Sequence, residues 1–230
     1  MHFIQPDWPA PARIKAYTTL RTAWGNPDRP YKSPDSTSQL ISLLTLPNEP
    51  LWLTQTHSAI AVEALPNNIN ANADACYTKH KQHICTILTA DCLPLLVCNQ
   101  QGTAVAAIHA GWRGLANGVI EAALHALNEP ARDLLVWLGP AIGPHKFEVG
   151  QDVYTAFTSH HSESASAFTP CTTDKWLADL YALATMRLGL LGITNIYGGQ
   201  HCTYTEKDKF FSYRRDGSQT GRMASVIWID

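Results

Sequence analysis

Three apolar segments in the middle of the chain constrain its fold more than any other feature of the sequence. They cover residues 84–88, 93–98 and 103–107, and short turn-forming stretches separate them. Their apolar residues are continuous rather than alternating with polar ones, which is typical of strands buried on both faces. Pro94 cannot donate to a sheet ladder, so we expect it at a strand start, edge or bulge. The centre of the chain therefore predicts a sheet that is covered on both sides.

The spacing of apolar residues elsewhere predicts helices and further strands. The predicted helices carry residues 40–44, 115–127, 149–157 and 175–191, and helix-capping side chains stand at 35–38 before the first of them. Further strands are predicted at residues 51–53, 60–65, 134–138 and 223–229. Because strands and helices are mixed without strict alternation, the pattern favours a single α/β (α+β) domain with mixed sheets over residues 1–230.

The net charge of the chain limits the classes of binding partner that we expect. The 230 residues carry a formal net charge of −2, so no strongly basic balance indicates binding to nucleic acid or to an anionic membrane surface. The first residues lack the basic and apolar regions of a secretory signal, and no apolar stretch approaches the roughly 20 residues of a membrane span. We therefore expect a cytoplasmic protein, either a monomer or a homodimer.

Three side chains that can bind metal each follow or end an apolar segment. They are His57, Cys92 and His109. Neighbouring strands that end at one edge of a sheet can bring such residues together. Two imidazoles and a thiolate suit zinc, and three protein ligands leave a fourth position open, as in catalytic sites. The spacing alone is weak support, because an isolated histidine or cysteine is more often a structural residue.

Several ordered segments resemble one known family. Residues 89–94 read Thr-Ala-Asp-Cys-Leu-Pro, and residues 109–114 read His-Ala-Gly-Trp-Arg-Gly. Further matching segments cover residues 55–58, 137–143, 147–150, 210–216 and 220–223. From about residue 50 to its end, the chain is similar to the multicopper-oxidase-like laccase domain family (YfiH-like). That family is also called polyphenol oxidase or, after its activity, purine nucleoside phosphorylase.

The resemblance implies a fold, a metal and a reaction. It implies a single domain with four layers, α/β/β/α, and zinc bound by His57, Cys92 and His109. It also implies phosphorolysis of adenosine, inosine and methylthioadenosine, with adenosine deamination as a further activity. Purine nucleosides and phosphate are the partners that it implies.

The N-terminal part departs from the family pattern. Family members usually carry Thr-Arg before a pair of glycines, whereas residues 19–24 contain Arg21 without the glycines. Pro30 and Tyr31 match the next segment, but residues 32–36 lack the Asn-Leu-Gly that usually follows. If this segment lines the substrate pocket, the departure affects substrate range or activity.

Further candidate residues have both a functional and a structural interpretation. Asp91 adjoins a predicted ligand and is a candidate for transferring a proton or orienting a histidine, or else a strand-end carboxylate. Phe211 is a candidate for stacking on a purine. The candidate phosphate-binding residues are Arg21, Arg113, Arg214 and Arg215, and we expect that one of the last two is only a surface charge.

Three alternative functions remain open from the residues alone. A cysteine hydrolase would use Cys92 as nucleophile and His109 as base. A polyphenol oxidase would bind Cu²⁺, but the ten histidines include no His-x-His pair of the kind that holds a multicopper cluster. A binding module without catalysis would retain the metal and lose turnover.

Overall fold

The computed structural model describes residues 2–26, 28 and 31–230. The strands, in chain order, are β1 (Phe3–Ile4), β2 (Ile14–Thr19), β3 (Pro50–Leu51), β4 (Ala61–Glu63), β5 (Ala75–Thr78), β6 (Ile84–Thr89), β7 (Leu93–Asn99), β8 (Val105–Ala110), β9 (Leu134–Leu138), β10 (Glu148–Gly150), β11 (Phe168–Thr172), β12 (Lys175–Ala178), β13 (Ile196–Gly198) and β14 (Met223–Ile229). The α-helices are α1 (Pro34–Leu44), α2 (Trp112–Ala116), α3 (Val119–Leu127), α4 (Gln151–Thr158), α5 (Leu180–Leu190) and α6 (Tyr213–Asp216).

The strands form two large sheets and one small one. The larger has six strands in the order β13-β9-β7-β8-β5-β4, and the second has five in the order β1-β2-β14-β6-β3. All residues of β7, β8, β9 and β14 are buried, which explains why their sequences are continuously apolar. Pro94 is the second residue of β7, so it lies at a strand start as the sequence indicates. The small sheet has the order β10-β12-β11.

The elements pack in four layers. The two large sheets bury residues such as Ile87 and Leu96 between them. Helix α1 covers the outer face of the five-stranded sheet through Leu40. Helices α3 and α5 cover the outer face of the six-stranded sheet, where Ile120 and Leu183 belong to the same buried cluster as its strands. The expected α/β/β/α arrangement with mixed sheets is therefore confirmed.

Several predicted element boundaries are wrong, and each difference has a physical reason. Residues 175–178 are strand β12 rather than the start of a helix, because they pair with β10 and β11. The helix begins only at Leu180, where the Asp179 side chain accepts the backbone N–H of Ala182. The helix predicted over 115–127 is broken into α2 and α3 at Gly118, whose φ is +90°. Helix α1 is capped by Ser33, ahead of the predicted capping residues.

None of the helices in the described part of the chain is long and apolar enough to cross a bilayer.

The packing between the sheets makes Leu96 a sensitive position. We expect Leu96→Ala to lower the free energy of unfolding by about 2–5 kcal/mol, because Leu96 is fully buried and the smaller side chain leaves a cavity. Urea denaturation followed by circular dichroism measures the change. As the control, Leu190→Ala removes a side chain that is 64% exposed and should change stability by less than about 0.5 kcal/mol. Equal effects of the two substitutions would contradict the assignment of the core.

Candidate metal centre and active site

The three predicted metal ligands meet where the chain crosses between the two large sheets. Cys92 lies on the connection from β6, in the five-stranded sheet, to β7, in the six-stranded sheet. His57 lies on the connection from β3 to β4, which crosses between the same sheets. His109 is the penultimate residue of β8, beside Pro94 of β7. Residues far apart in sequence therefore come together at one junction.

The donor atoms of these side chains are close enough to share one ion. The possible ligand atoms of His57, Cys92 and His109 all lie within 4.8 Å of one another. The Cys92 Sγ is 3.8 Å from the His57 Nε2, and the two imidazole rings are edge-to-face with centroids 4.9 Å apart. His109 is buried at 4% exposure.

Gly111 makes this close approach possible. A Cβ atom at position 111 would lie 2.7 Å from the His57 Cδ2 and 3.0 Å from the Cys92 Sγ. The first distance is shorter than real Cβ contacts, so a larger residue would push the histidine away. Glycine is therefore required at position 111 because a side chain would not fit there, and its backbone conformation is not the reason.

The buried carboxylate of Asp74 holds two of the three side chains in place. It accepts hydrogen bonds from the backbone N–H groups of Thr56 (3.1 Å), His57 (3.0 Å) and Ser58 (2.6 Å). It also accepts one from the His109 Nδ1 at 2.7 Å. Successive N–H groups around one anion form a nest, and this nest stabilises the left-handed backbone of His57, whose φ is +62°. Asp74 therefore fixes the backbone that carries His57 and orients the ring of His109 directly.

The charges of the cluster depend on one another. Burial acts to raise the pKa of Cys92, but the nearby His109 and His57 imidazoles lower it to about 6. Burial acts to lower the pKa of His109, but Cys92 and Asp74 raise it to about 9. Burial likewise opposes ionisation of Asp74, yet its hydrogen bonds to His109 and Ser58 hold its pKa well below the usual range. Near neutral pH these groups form a thiolate–imidazolium pair beside a carboxylate.

The donor set fits a metal ion. Because the Nδ1 of His109 is bonded to Asp74, its Nε2 is left for coordination, as in many carboxylate–histidine–zinc arrangements. Two imidazoles and a thiolate are ligands that zinc accepts in catalytic sites, with one position left for water or substrate. His57, Cys92 and His109 are therefore the residues that could hold such an ion.

A cavity of about 590 Å³ opens onto these side chains, a size typical of small-molecule sites. It is lined by the three donors and by two further groups of side chains. The cationic group comprises Lys32, Arg113, Arg214 and Arg222. The aromatic group comprises Tyr31, Trp112, Phe147 and Tyr213.

Two of the predicted phosphate-binding arginines lie in this cavity. The Arg113 guanidinium stacks on the Trp112 ring, 4.3 Å from its centroid. The Arg214 guanidinium lies 5.5 Å from the centroid of Phe147 and donates to the backbone oxygen of Glu148. Among the described residues, neither arginine has a carboxylate within 4.0 Å, so both remain available to an anion.

Asp91 lines the cavity, but its carboxylate is occupied by other contacts. It accepts hydrogen bonds from the Thr203 and Ser212 hydroxyls and from the backbone N–H of Arg214 at 2.6 Å. The carboxylate that orients a histidine is Asp74. The contacts of Asp91 instead anchor the loops that carry Thr203 and Arg214, which favours its structural interpretation.

Three predicted substrate-binding residues lie outside the cavity. Arg21 donates to the backbone oxygen of Lys207 and lies over the ring of Phe211, at 5.0 Å from its centroid. Arg215 pairs with Asp216 at 2.7 Å and donates to the backbone oxygens of three further residues: Thr203, Tyr204 and Phe210. Local partners occupy the side chains of Arg21, Phe211 and Arg215 away from the cavity, and their roles in substrate binding remain predictions.

Some residues of the site were not identified from the sequence. Asp74 stands alone between Ala73 and Ala75, and a carboxylate in such a buried apolar stretch is the signal that could have indicated it. Tyr31 and Lys32 belong to the segment that departs from the family pattern, and they line the cavity. Pro30, the other matching residue of that segment, lies outside the described residues.

Comparisons with known proteins agree with this architecture. Residues 13–230 match the model of the family described as multi-copper polyphenol oxidoreductase laccase. A protein of Pseudomonas aeruginosa named purine nucleoside phosphorylase is 46% identical, with 99% of this chain and 98% of that protein aligned. One of Haemophilus influenzae with the same name is 45% identical over the whole length of both chains. A crystal structure of a protein from Neisseria meningitidis has a TM-score of 0.92, with 43% identity and full coverage of both chains.

The contacts of Asp74 predict its effect on metal binding. We expect Asp74→Asn to weaken zinc binding by about 10- to 100-fold, because the amide cannot accept all of the hydrogen bonds that orient His57 and His109. Competition with a chromophoric chelator measures the affinity. The exposed Asp208→Asn is the matched control and should leave the affinity unchanged. Unaltered binding in both variants would show that Asp74 does not position the ligands.

The coupling between Cys92 and His109 predicts a pH profile for the thiol. In protein stripped of metal, alkylation of Cys92 should rise with a midpoint near pH 6, since the pKa of the thiol is lowered to about 6. A free cysteine has a pKa near 8.5 and serves as the reference. His109→Gln removes an imidazolium and should move the midpoint to higher pH. Peptide mapping by mass spectrometry distinguishes Cys92 from the exposed Cys171.

Proposed function

The chain belongs to the multi-copper polyphenol oxidoreductase laccase family, and on that premise we propose that it is a metal-dependent purine nucleoside phosphorylase. The family membership expected from the sequence segments is confirmed. The activity itself is our proposal, and the naming of its full-length relatives supports it.

One structural observation carries the proposal. The donors of His57, Cys92 and His109 open onto a cavity in which Arg113 and Arg214, like Arg222, have no carboxylate within 4.0 Å among the described residues. A phosphorylase needs a site for phosphate beside the sugar carbon that reacts, and guanidinium groups bind phosphate through paired N–H donors. The cavity combines a cluster that could bind a metal with guanidinium groups that could bind phosphate, and the proposed reaction uses both.

The metal that we propose is zinc, held by His57, Cys92 and His109. When bound, zinc supplies Lewis-acid chemistry at the open end of the cluster. Asp74 keeps both histidines oriented through its hydrogen bonds. The choice of zinc is part of the proposal, because copper would also accept imidazole and thiolate donors.

The remaining residues bind and orient the reactants. Arg113 and Arg214 would hold phosphate so that one of its oxygens faces C1′ of the ribose. That oxygen forms the new bond to C1′ while the bond from C1′ to N9 of the purine breaks, and the base leaves with the proton that hydrogen phosphate gives up. The faces of Trp112 and Tyr213 provide surfaces on which a purine can stack. Asp91 would act indirectly, by fixing the backbone of Arg214.

The finer substrate range is part of the same proposal. We propose adenosine, inosine and methylthioadenosine as the nucleosides, because the purine and ribose are common to all three. Adenosine deamination would be a second activity at the same cluster, since a three-ligand zinc site suits hydrolytic chemistry.

Two of the three alternative functions, the cysteine hydrolase and the copper oxidase, receive less support than phosphorolysis. A cysteine hydrolase would use the same Cys92 and His109 pair, whose lowered thiol pKa suits a nucleophile, but coordination of a metal by Cys92 would prevent its attack. A multicopper oxidase needs a trinuclear cluster, whereas the described residues contain one group of three metal-capable donors within 4.8 Å. The names of the relatives favour neither alternative over phosphorolysis.

A direct assay tests the proposed function. We expect near-stoichiometric zinc and phosphate-dependent release of adenine from adenosine, and we expect Cys92→Ala to lower kcat/KM by at least about 100-fold, because it removes a metal ligand. Cys171→Ser changes an exposed cysteine outside the cavity and is the matched control. Base release that does not require phosphate, or a fully active Cys92→Ala variant, would refute the proposal.

A further inference from the structure

The cavity holds more positive charge than one phosphate requires. Lys32, Arg113, Arg214 and Arg222 all line it, and in the described part of the chain none of the four has a carboxylate within 4.0 Å. The carboxylate of Asp91 also lines it, but that group accepts three hydrogen bonds from protein donors. Four like charges in one concave space produce a positive potential that concentrates anions.

This distribution differs from that of the paired cations elsewhere in the protein. Outside the cavity, six lysine and arginine side chains have a carboxylate within 4.0 Å: Arg21, Lys79, Arg132, Arg187, Lys209 and Arg215. Unpaired lysines on an open surface need no explanation, because water solvates them. Unpaired cations that share one cavity indicate that an anionic ligand supplies the missing partners.

The four cations form two pairs, and a different part of the fold positions each pair. Arg113 follows closely on His109, and the backbone of Arg214 is bonded to Asp91, which adjoins Cys92. This pair is therefore tied to the segments that carry the metal ligands, where the phosphate of the proposed reaction would bind.

The second pair is supported by Tyr31. The Arg222 guanidinium lies 5.8 Å from the centroid of the Tyr31 ring, and the Tyr31 hydroxyl donates to the backbone oxygen of Thr220. Lys32, the next residue, donates through its Nζ to the backbone oxygen of Leu53. Burial lowers the pKa of Lys32, so a bound anion would relieve the cost of its partial desolvation.

The wall of the cavity also contains a buried hydroxyl group without a protein partner among the described residues. Thr89 lines the cavity, is 1% exposed, and has a hydroxyl with no hydrogen-bond partner among the described residues. It follows Leu88, whose backbone is bonded to the side chain of Gln55, two residues beyond the Leu53 that accepts from Lys32. A buried hydroxyl without a partner is costly unless a ligand or water satisfies it.

From these observations we propose that the preferred substrate is a nucleoside 5′-monophosphate, with Lys32 and Arg222 binding its 5′-phosphate. The proposal rests on the phosphorylase function and specifies its substrate class. An oxygen of hydrogen phosphate forms a bond to C1′, the bond from C1′ to N9 breaks, and the proton of the hydrogen phosphate passes to the purine, which leaves as the neutral base. The products are the free base and ribose 1,5-bisphosphate, so every atom and charge is accounted for without a further reactant.

Lys32 lies where this chain departs from the pattern usual in its family. Residues 32–36 replace the Asn-Leu-Gly segment that the sequence resemblance leads one to expect, and the replacement places a cation in the cavity. Lys32 is thus a departure from that pattern, whereas its partner Arg222 belongs to the segment 220–223 that matches the family.

A comparison of matched substrates tests the proposal. With saturating phosphate, we expect kcat/KM for adenosine 5′-monophosphate to exceed that for adenosine by about tenfold or more, with ribose 1,5-bisphosphate identified by mass spectrometry. Lys32→Met should reduce this selectivity by about tenfold, because it removes a charge that only the 5′-phosphate needs. Lys81→Met, at an exposed position outside the cavity, is the matched control and should keep the selectivity of the wild type.

Direct binding separates failure of this proposal from failure of the phosphorylase function. Should neither substrate release base, the phosphorylase function fails, and calorimetry of adenosine 5′-monophosphate against adenosine still tests the second site. Tighter binding of the monophosphate by about tenfold, lost in Lys32→Met, would support that site. Equal kcat/KM and equal affinity for the two compounds would overturn the proposal, as would a preference for the monophosphate that Lys32→Met leaves intact.

Discussion

The hydrogen bonds of the Asp74 carboxylate are the interaction on which the candidate site depends. This one buried side chain joins the loop that carries His57 to the strand that carries His109, and so connects an irregular segment to the rigid centre of the six-stranded sheet. A buried carboxylate is unfavourable without partners, and here four N–H donors stabilise its charge. Its negative charge in turn favours the protonated imidazole in metal-free protein and a well-oriented ligand when metal is bound.

The sequence predicted the layers of the fold better than its boundaries. Continuous apolar segments such as residues 93–98 are typical of strands covered on both sides, so the central sheet was predictable. The segment 175–191 has helical spacing throughout, and Asp179, a helix-capping residue type, is the one local sign that the helix begins within it. The pairing of its first residues with β10 and β11 is a long-range contact, which residue spacing does not record.

The sequence likewise identified some residues of the candidate site and not others. His57, Cys92 and His109 were identifiable because family-specific segments surround them, and the structure places them together. The arginines were not equally identifiable, because residue type does not determine where a long side chain points. Arg214 and its neighbour Arg215 share a short helix, yet one lines the cavity and the other pairs with Asp216. Asp74 was missed because its importance arises only from contacts with distant segments.

The connections that cross between the two large sheets at the candidate metal site also affect the stability of the whole protein. His57 and Cys92 lie on separate connections between the two large sheets, and His109 lies within one of those sheets. An ion bound by all three would cross-link these segments, and closing such loops reduces the conformational freedom of the unfolded chain. The supply of metal would then govern how long the protein persists as well as how fast it works, so a chain deprived of metal would be the first to be unfolded and degraded.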